Sequence, residues 1–150
     1  MGGWPNLSDL IGPAGSRTAV ALLGAPLAAG SVTPGACDQA PALLRQTLRR
    51  IGRYDVETGR ELSTEIADRG DVAIAGLSIE QATPVIREAV AASAEAHALT
   101  LLVGGNNAVT RPAVLALDNE LEDVGLIRAR STSLLKERGH DVSALLPAHA

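Results

Sequence analysis

The chain has 150 residues, of which 46% are hydrophobic and 20% are charged, a composition typical of a single globular domain. It contains no Phe, one Trp and one Tyr, so it lacks an aromatic platform on which single-stranded nucleic acid could stack. The net charge of −4 also argues against nucleic acid or an anionic membrane as a partner. Cys37, the only cysteine, excludes an internal disulfide and is interpreted as a small turn residue. We expect a cytoplasmic protein without a signal peptide or a membrane span.

Short apolar runs alternate with helical patterns along the chain. The first part of the sequence predicts a surface segment (1–17), a strand buried on both faces (18–24), a loop (25–37) and a helix stopped by Gly52 (39–51). A polar stretch with a short edge strand and a turn at Gly70 follows (53–71), and then a long helix that is capped by Ser78 and carries Pro84 near its first turn (79–98). The last part predicts a second buried strand (99–103), a helix (110–117), a third strand (124–127) and a last helix (131–146). This alternation predicts an α/β fold with three layers, αβα, around a mainly parallel sheet.

Two loops are the candidate functional loops of this predicted fold. In parallel sheets the working groups lie at the carboxyl ends of the strands, which here are followed by residues 24–37 and 104–110. Gly104 and Gly105 allow the backbone to turn sharply, and the helix that follows offers free N–H groups to an anion. The spacing G-x-G-x-x-G and the Walker-A pattern are both absent. The double glycine alone therefore predicts a structural turn.

The ionisable residues do not form a recognisable catalytic set in the sequence. His97 lies near the end of the long helix, where we expect a solvated cation. His140 and His149 have no histidine or carboxylate cluster at metal-ligand spacing. Asp68 and Asp71 flank Arg69-Gly70 and are interpreted as part of a charged turn. Reading the residues alone yields an α/β domain without an assigned reaction.

Three segments, taken in order, change this interpretation. Residues 22–51 carry a series of small, proline and arginine positions, namely Gly24, Pro26, Gly30, Pro34, Gly35, Pro41 and Arg45. Residues 54–72 end in Asp-x-Gly-Asp-Val, and residues 100–112 read TLLVGGNNAVTRP. Together these segments resemble the ureohydrolase family, which comprises arginases, agmatinases and formimidoylglutamases. The third segment resembles that family's motif Leu-Gly-Gly-Asp-His-Ser-x-Thr-x-Pro.

The resemblance implies a partial arginase-like fold over residues 18–127, preceded by the surface segment 1–17 and followed by a divergent tail, 128–150. It implies a metal centre of two manganese ions held by His and Asp, whose bridging hydroxide attacks a guanidinium or amidine carbon. The substrate would then be a small guanidino or formimino compound. Gly24, Pro26 and Gly30 become candidates for the substrate loop, and Gly104, Gly105 and Asn106 form the backbone of the metal-binding motif.

The chain departs from the family pattern at the expected metal ligands. Asn107 stands where the family has its first histidine ligand, and a neutral amide binds manganese more weakly than imidazole does. The family's next motif is Asp-Ala-His-x-Asp. When it is aligned to this sequence without gaps, its ligand positions fall on Arg130, Thr132 and Leu134, which cannot hold a divalent metal. We therefore assign no catalytic residue, and Asn107 is the single candidate metal ligand.

Three hypotheses follow from this comparison. The first is a truncated or divergent family member that is weakly active or inactive alone. The second is a non-catalytic partner subunit that pairs with a full-length ureohydrolase through an exposed sheet edge. The third is an active hydrolase in which Asn107 is an unusual ligand and another chain supplies the missing carboxylates. The sequence does not identify the substrate or the oligomeric state.

Overall fold

A four-stranded parallel sheet forms the centre of the protein, seen here in a computed structural model that describes residues 4–31 and 35–117. The strands are β1 (Ile11–Gly12), β2 (Val20–Ala25), β5 (Ile66–Asp71) and β6 (Leu99–Gly104), in the spatial order β1-β5-β2-β6. A separate antiparallel pair is formed by β3 (Tyr54–Asp55) and β4 (Arg60–Glu61). The helices are α1 (Ala40–Leu48), α2 (Ile79–Ala96) and α3 (Thr110–Leu117).

The helices cover the two faces of the sheet, as the αβα prediction requires. Gly24 in β2 faces α1, because a Cβ added there would lie 2.9 Å from the Cβ of Pro41. The neighbouring residue Leu23 points the opposite way and belongs to a buried cluster with Ile86 and Val90 of α2. α3 packs on the same side, against α2. The predicted three-layer α/β fold with a mainly parallel sheet is confirmed.

β2 is the central strand and is almost wholly buried, as its apolar run predicts. It pairs in parallel with β6 along its whole length, from Val20 opposite Leu99 to Ala25 opposite Gly104. On its other side it pairs with β5, and the register shifts between Leu22 and Gly24.

β6 and β5 differ from their predicted environments. β6 was expected to be buried on both faces, but the side chains of Leu99 and Leu101 are 52% and 42% exposed. β5 was expected at the edge, yet it lies between β1 and β2. Gly70, expected to end the strand in a turn, lies inside β5 with φ +75°.

The segment before β2 contributes more to the fold than its Gly- and Pro-rich composition suggests. Leu10 is buried, and Ile11–Gly12 pairs with Ile66 and Ala67 of β5. This segment was predicted to be only a surface covering. Its short pairing supplies the outer strand that moves β5 into the interior of the sheet.

α2 follows its predicted local signals closely. Ser78 accepts a hydrogen bond from the Gln81 N–H, and the Gln81 side chain accepts one from the Ser78 N–H, so the two form a capping box. Pro84 lies inside the helix, beyond the first-turn position that was expected. Buried residues recur along one side and end with Ser93. No helix in the described ranges is long and apolar enough to cross a bilayer.

The predicted helix 110–117 is confirmed as α3 with the same bounds. The predicted helix 39–51 is confirmed as the shorter α1, which ends at Leu48. The predicted strand 124–127, the helix 131–146 and the residues Arg130, Thr132, Leu134, His140 and His149 lie outside the described residues.

Candidate functional site

The loop after β6 lies against the loop after β2, at the carboxyl edge of the sheet. The Gly105 N–H donates to the Ala25 carbonyl at 3.0 Å, which continues the pairing of the two strands by one residue. A Cβ at Gly105 would lie 3.0 Å from both the carbonyl carbon and the amide nitrogen of Leu27. Glycine is therefore required here by the close approach of two backbone segments.

Asn106 connects the two loops through its side chain. Its Oδ1 accepts a hydrogen bond from the Ala108 N–H at 2.7 Å and so caps the one-turn 3-10 helix Asn107–Val109. Its Nδ2 donates to the Ala29 carbonyl in the loop after β2. Because both ends of this amide are engaged, Asn106 acts as a clamp between the loops.

Asn107, the candidate metal ligand, begins that 3-10 helix and is exposed. Its side chain makes no hydrogen bond to any residue in the described part of the chain. It is therefore the one amide of the Asn-Asn pair whose side chain is available to a ligand.

The three substrate-loop candidates occupy different surroundings. Gly30 lies beside the clamp, since a Cβ added to it would be 3.9 Å from Nδ2 of Asn106, and its φ of +81° suits glycine. Pro26 is half-buried at the start of the same loop. Gly24 lies on the α1 face of the sheet, where its Cβ position would contact the side chain of Asp71. Of the three, Gly30 is the one that lies beside the side chain of Asn106.

An arginine and two carboxylates form an ion-pair network on the α1 face. The Arg45 Nε and Nη2 atoms donate to the two Asp68 carboxylate oxygens at 2.7 and 2.8 Å, and Nη1 donates to Asp71 at 2.6 Å. The Gly70 N–H also donates to Asp68. These hydrogen bonds from Arg45 and Gly70 lower the pKa of Asp68, and the two carboxylates raise the pKa of Arg45.

This network replaces the charged turn that was predicted for Asp68 and Asp71. The two aspartates lie on β5, and their partner lies on a helix more than 20 residues earlier, so sequence spacing alone does not connect them. The signal that could have found the network is the motif resemblance itself, because it singles out Arg45 together with the Asp-x-Gly-Asp segment.

His97 was predicted to be a solvated residue at a helix end, and that prediction is wrong. It is the C-cap of α2 and its side chain is only 7% exposed. Its Nδ1 atom lies 2.9 Å from the Thr18 carbonyl, in the segment leading to β2. Because a carbonyl can only accept, Nδ1 carries the proton of this hydrogen bond.

The donor set at the β6 loop does not fit a manganese ion. Manganese favours carboxylate, imidazole and water, whereas this loop offers one free neutral amide, Asn107. The carboxylate of Asp71, at the end of β5, is paired with Arg45. Within residues 4–31 and 35–117, no three His, Cys, Asp or Glu side chains are grouped so that they could hold a metal ion.

Solved structures with the same fold include a formimidoylglutamase, a formiminoglutamase and an agmatine ureohydrolase. Formimidoylglutamase from Bacillus subtilis is 26% identical with a TM-score of 0.70, over 77% of this chain and 38% of that one. A Trypanosoma cruzi formiminoglutamase with Mn²⁺ is 22% identical with a TM-score of 0.67, over 82% of this chain and 43% of that one. The agmatine ureohydrolase of Thermoplasma volcanium is 20% identical with a TM-score of 0.62, over 77% of this chain and 39% of that one.

The chain thus spans about two fifths of the length of these enzymes. None of the curated proteins matches the sequence significantly. The Arginase family matches residues 18–129, which include β2, β5 and β6 of the central sheet and the Gly-Gly-Asn-Asn loop. The chain therefore belongs to the Arginase family.

Proposed function

We propose that this chain is an arginase-family protein whose metal centre is deficient, so that alone it is weakly active or inactive as a hydrolase. The observation that carries the proposal is the pair of amides in the β6 loop. Asn106 is used to clamp two loops together, and Asn107 offers only a neutral oxygen or amino group at the family's first histidine position. Neither residue supplies the charge or basicity that a manganese ligand needs.

The residue identities further along the chain support the same proposal. In the family resemblance, the ligand positions of the next motif fall on Arg130, Thr132 and Leu134. An arginine brings a positive charge to a place where a divalent ion needs negative ligands. The family chemistry, hydrolysis of a guanidinium or amidine C–N bond with manganese, would therefore require ligands from outside these positions.

Calorimetric titration of the purified chain with Mn²⁺ tests the proposal, together with hydrolysis assays on formimidoylglutamate, agmatine and arginine. We expect no saturable binding of two ions at micromolar affinity and no turnover above background. The variant Asn107→His restores one imidazole at the loop and should gain measurable Mn²⁺ affinity. Gln46→His adds an exposed histidine on α1, away from the loop, and should not.

Two micromolar Mn²⁺ sites in the unmodified chain, or turnover of any of the three substrates, would overturn the proposal. That result would favour the active hydrolase in which Asn107 is a ligand. An Asn107→His variant that binds no better than Gln46→His would show instead that the loop is not positioned for metal binding.

The edge of the sheet favours a second function, that of a partner subunit for a full-length ureohydrolase. Among the described residues, β6 pairs only with β2, and no described strand covers its outer side. The exposed Leu99 and Leu101 lie on this strand. Open parallel edges with apolar side chains favour association with another chain. Size-exclusion chromatography with light scattering, applied to the chain mixed with Bacillus subtilis formimidoylglutamase, tests whether the two proteins form a complex. Elution of the two proteins as separate species would exclude the partner role for that enzyme.

A further inference from the structure

A cavity lies at the opposite end of the sheet from the Gly-Gly-Asn-Asn loop. Its volume is about 600 Å³, and its wall includes Thr18, just before β2, and His97, just before β6. Since a strand advances about 3.3 Å per residue, the six residues of β6 separate the two ends by roughly 17–20 Å. The cavity is therefore distinct from the loop considered for metal binding.

Two arginines give this cavity a positive lining. Arg17 belongs to the segment before β2, and Arg69 belongs to β5. Asp68 points towards α1, so the next residue, Arg69, lies on the opposite face of the sheet, the face that α2 covers. Neither arginine forms an ion pair with any described residue, and no acidic side chain is among the residues that line the cavity.

The cavity wall also carries a hydroxyl group without a partner. The Ser16 hydroxyl makes no hydrogen bond within the described part of the chain. The His97 ring is held in the wall by the hydrogen bond from its Nδ1 atom to the Thr18 carbonyl. Its Nε2 atom is fully buried and is therefore not a contact for a ligand in the cavity.

We propose that this cavity is a binding site for a small oxyanion, such as a phosphate group or a carboxylate. Arg17 and Arg69 provide the charge and planar donors that match oxyanions, and Ser16 provides a hydroxyl donor.

Titration calorimetry of the full chain with inorganic phosphate, at an ionic strength held constant with sodium chloride, tests the site. We expect saturable binding with one phosphate per chain. Arg17→Gln and Arg69→Gln should each weaken the affinity about tenfold, because each removes a charge-assisted hydrogen bond. Succinate, titrated in the same way, distinguishes a site for phosphate groups from one for carboxylates.

Arg60→Gln is the matched control, since Arg60 is exposed on β4, does not line the cavity and has no ion-pair partner among the described residues. Its affinity for the anion should equal that of the unmodified chain. Urea unfolding establishes that the three variants remain folded. Non-saturable heats with both anions, or an equal loss in Arg60→Gln and in the two cavity variants, would overturn the proposal. Saturable succinate binding that depends on Arg17 and Arg69 would support it and assign the carboxylate class.

Discussion

Replacing Arg45 by methionine removes the guanidinium while keeping most of the aliphatic stem, and it should destabilise the protein by about 2 kcal/mol. A charge-assisted hydrogen bond contributes about 1.5–3 kcal/mol when well shielded, whereas an exposed ion pair contributes about 0.2–1 kcal/mol. The Arg45 and Asp68 side chains are 23% and 20% exposed and share two hydrogen bonds, so their interaction lies between these limits. Asp71 is 38% exposed and receives one hydrogen bond, which places its share near about 0.5 kcal/mol.

Urea unfolding followed by far-ultraviolet circular dichroism provides the assay, with two double-mutant cycles. One cycle combines Arg45→Met with Asp68→Asn, and the other combines it with Asp71→Asn. We expect a coupling energy of about 1.5 kcal/mol for the first pair and about 0.5 kcal/mol for the second. The melting temperature of Arg45→Met should fall by about 4–8 °C. Equal coupling in the two cycles, or coupling below about 0.5 kcal/mol with Asp68, would refute the assignment of the bidentate pair as the principal interaction.

Three further changes test other parts of the fold. Its hydrogen bonds hold the pKa of Asp68 in the folded protein below the unfolded value of about 3.9. The stability that this carboxylate contributes is therefore complete above that value and is lost as the pH falls through the folded pKa. Urea midpoints measured from pH 6 to pH 3 should decline less in Asp68→Asn than in the unmodified chain. Gly105→Ala should lower the free energy of urea unfolding by about 1–3 kcal/mol, because its Cβ would meet the backbone of Leu27. Gly15→Ala, which has open space at the Cβ position, should change stability by less than about 0.5 kcal/mol. Similar losses in the two variants would contradict the close approach of Gly105 and Leu27. Ser78→Ala should cost about 1 kcal/mol by removing the cap of α2, and an unchanged urea midpoint would argue against the capping box.

Local signals in the sequence predicted most of the helices and the central strand correctly. Ser78 is followed three residues later by Gln81 and then by apolar residues at helical spacing, so the start of α2 is specified within a few residues of chain. β2 is predictable because a short apolar run bounded by glycine and proline suits a strand covered on both sides.

The environments of β5 and His97 depend on distant parts of the chain, and the sequence did not reveal them. β5 becomes an interior strand because Ile11–Gly12 pairs with it, although the residues around that pair are typical of a loop. His97 is buried because its Nδ1 meets the carbonyl of Thr18, 79 positions away in the sequence. Helical spacing describes the residues around His97, but it contains no information about Thr18.

The sequence predicted where the candidate site lies in the chain, but not how its side chains are arranged. The double glycine after a strand located the loop, and the family resemblance identified Asn107 as the residue at a ligand position. The role of Asn106 was not foreseen, because its partner is the backbone carbonyl of Ala29 in a different loop. Every residue type has a backbone carbonyl, so the identity of Ala29 does not indicate that it accepts this hydrogen bond.

The position of β2 in the chain has a consequence for synthesis on the ribosome. The strand is among the first to emerge, yet both of its neighbours come later, and Val20 finally pairs with Leu99, about 80 residues further on. At about 5–20 residues per second, translation of that interval takes roughly 4–16 s. The edge of β2 that pairs with β6 is unpaired during all of this time, and the other edge is unpaired until β5 has been made. The apolar sequence VALLGA is then open to capture by chaperones or by another nascent chain. Among the described strands, the central strand of the sheet is thus the one that waits longest for its last partner.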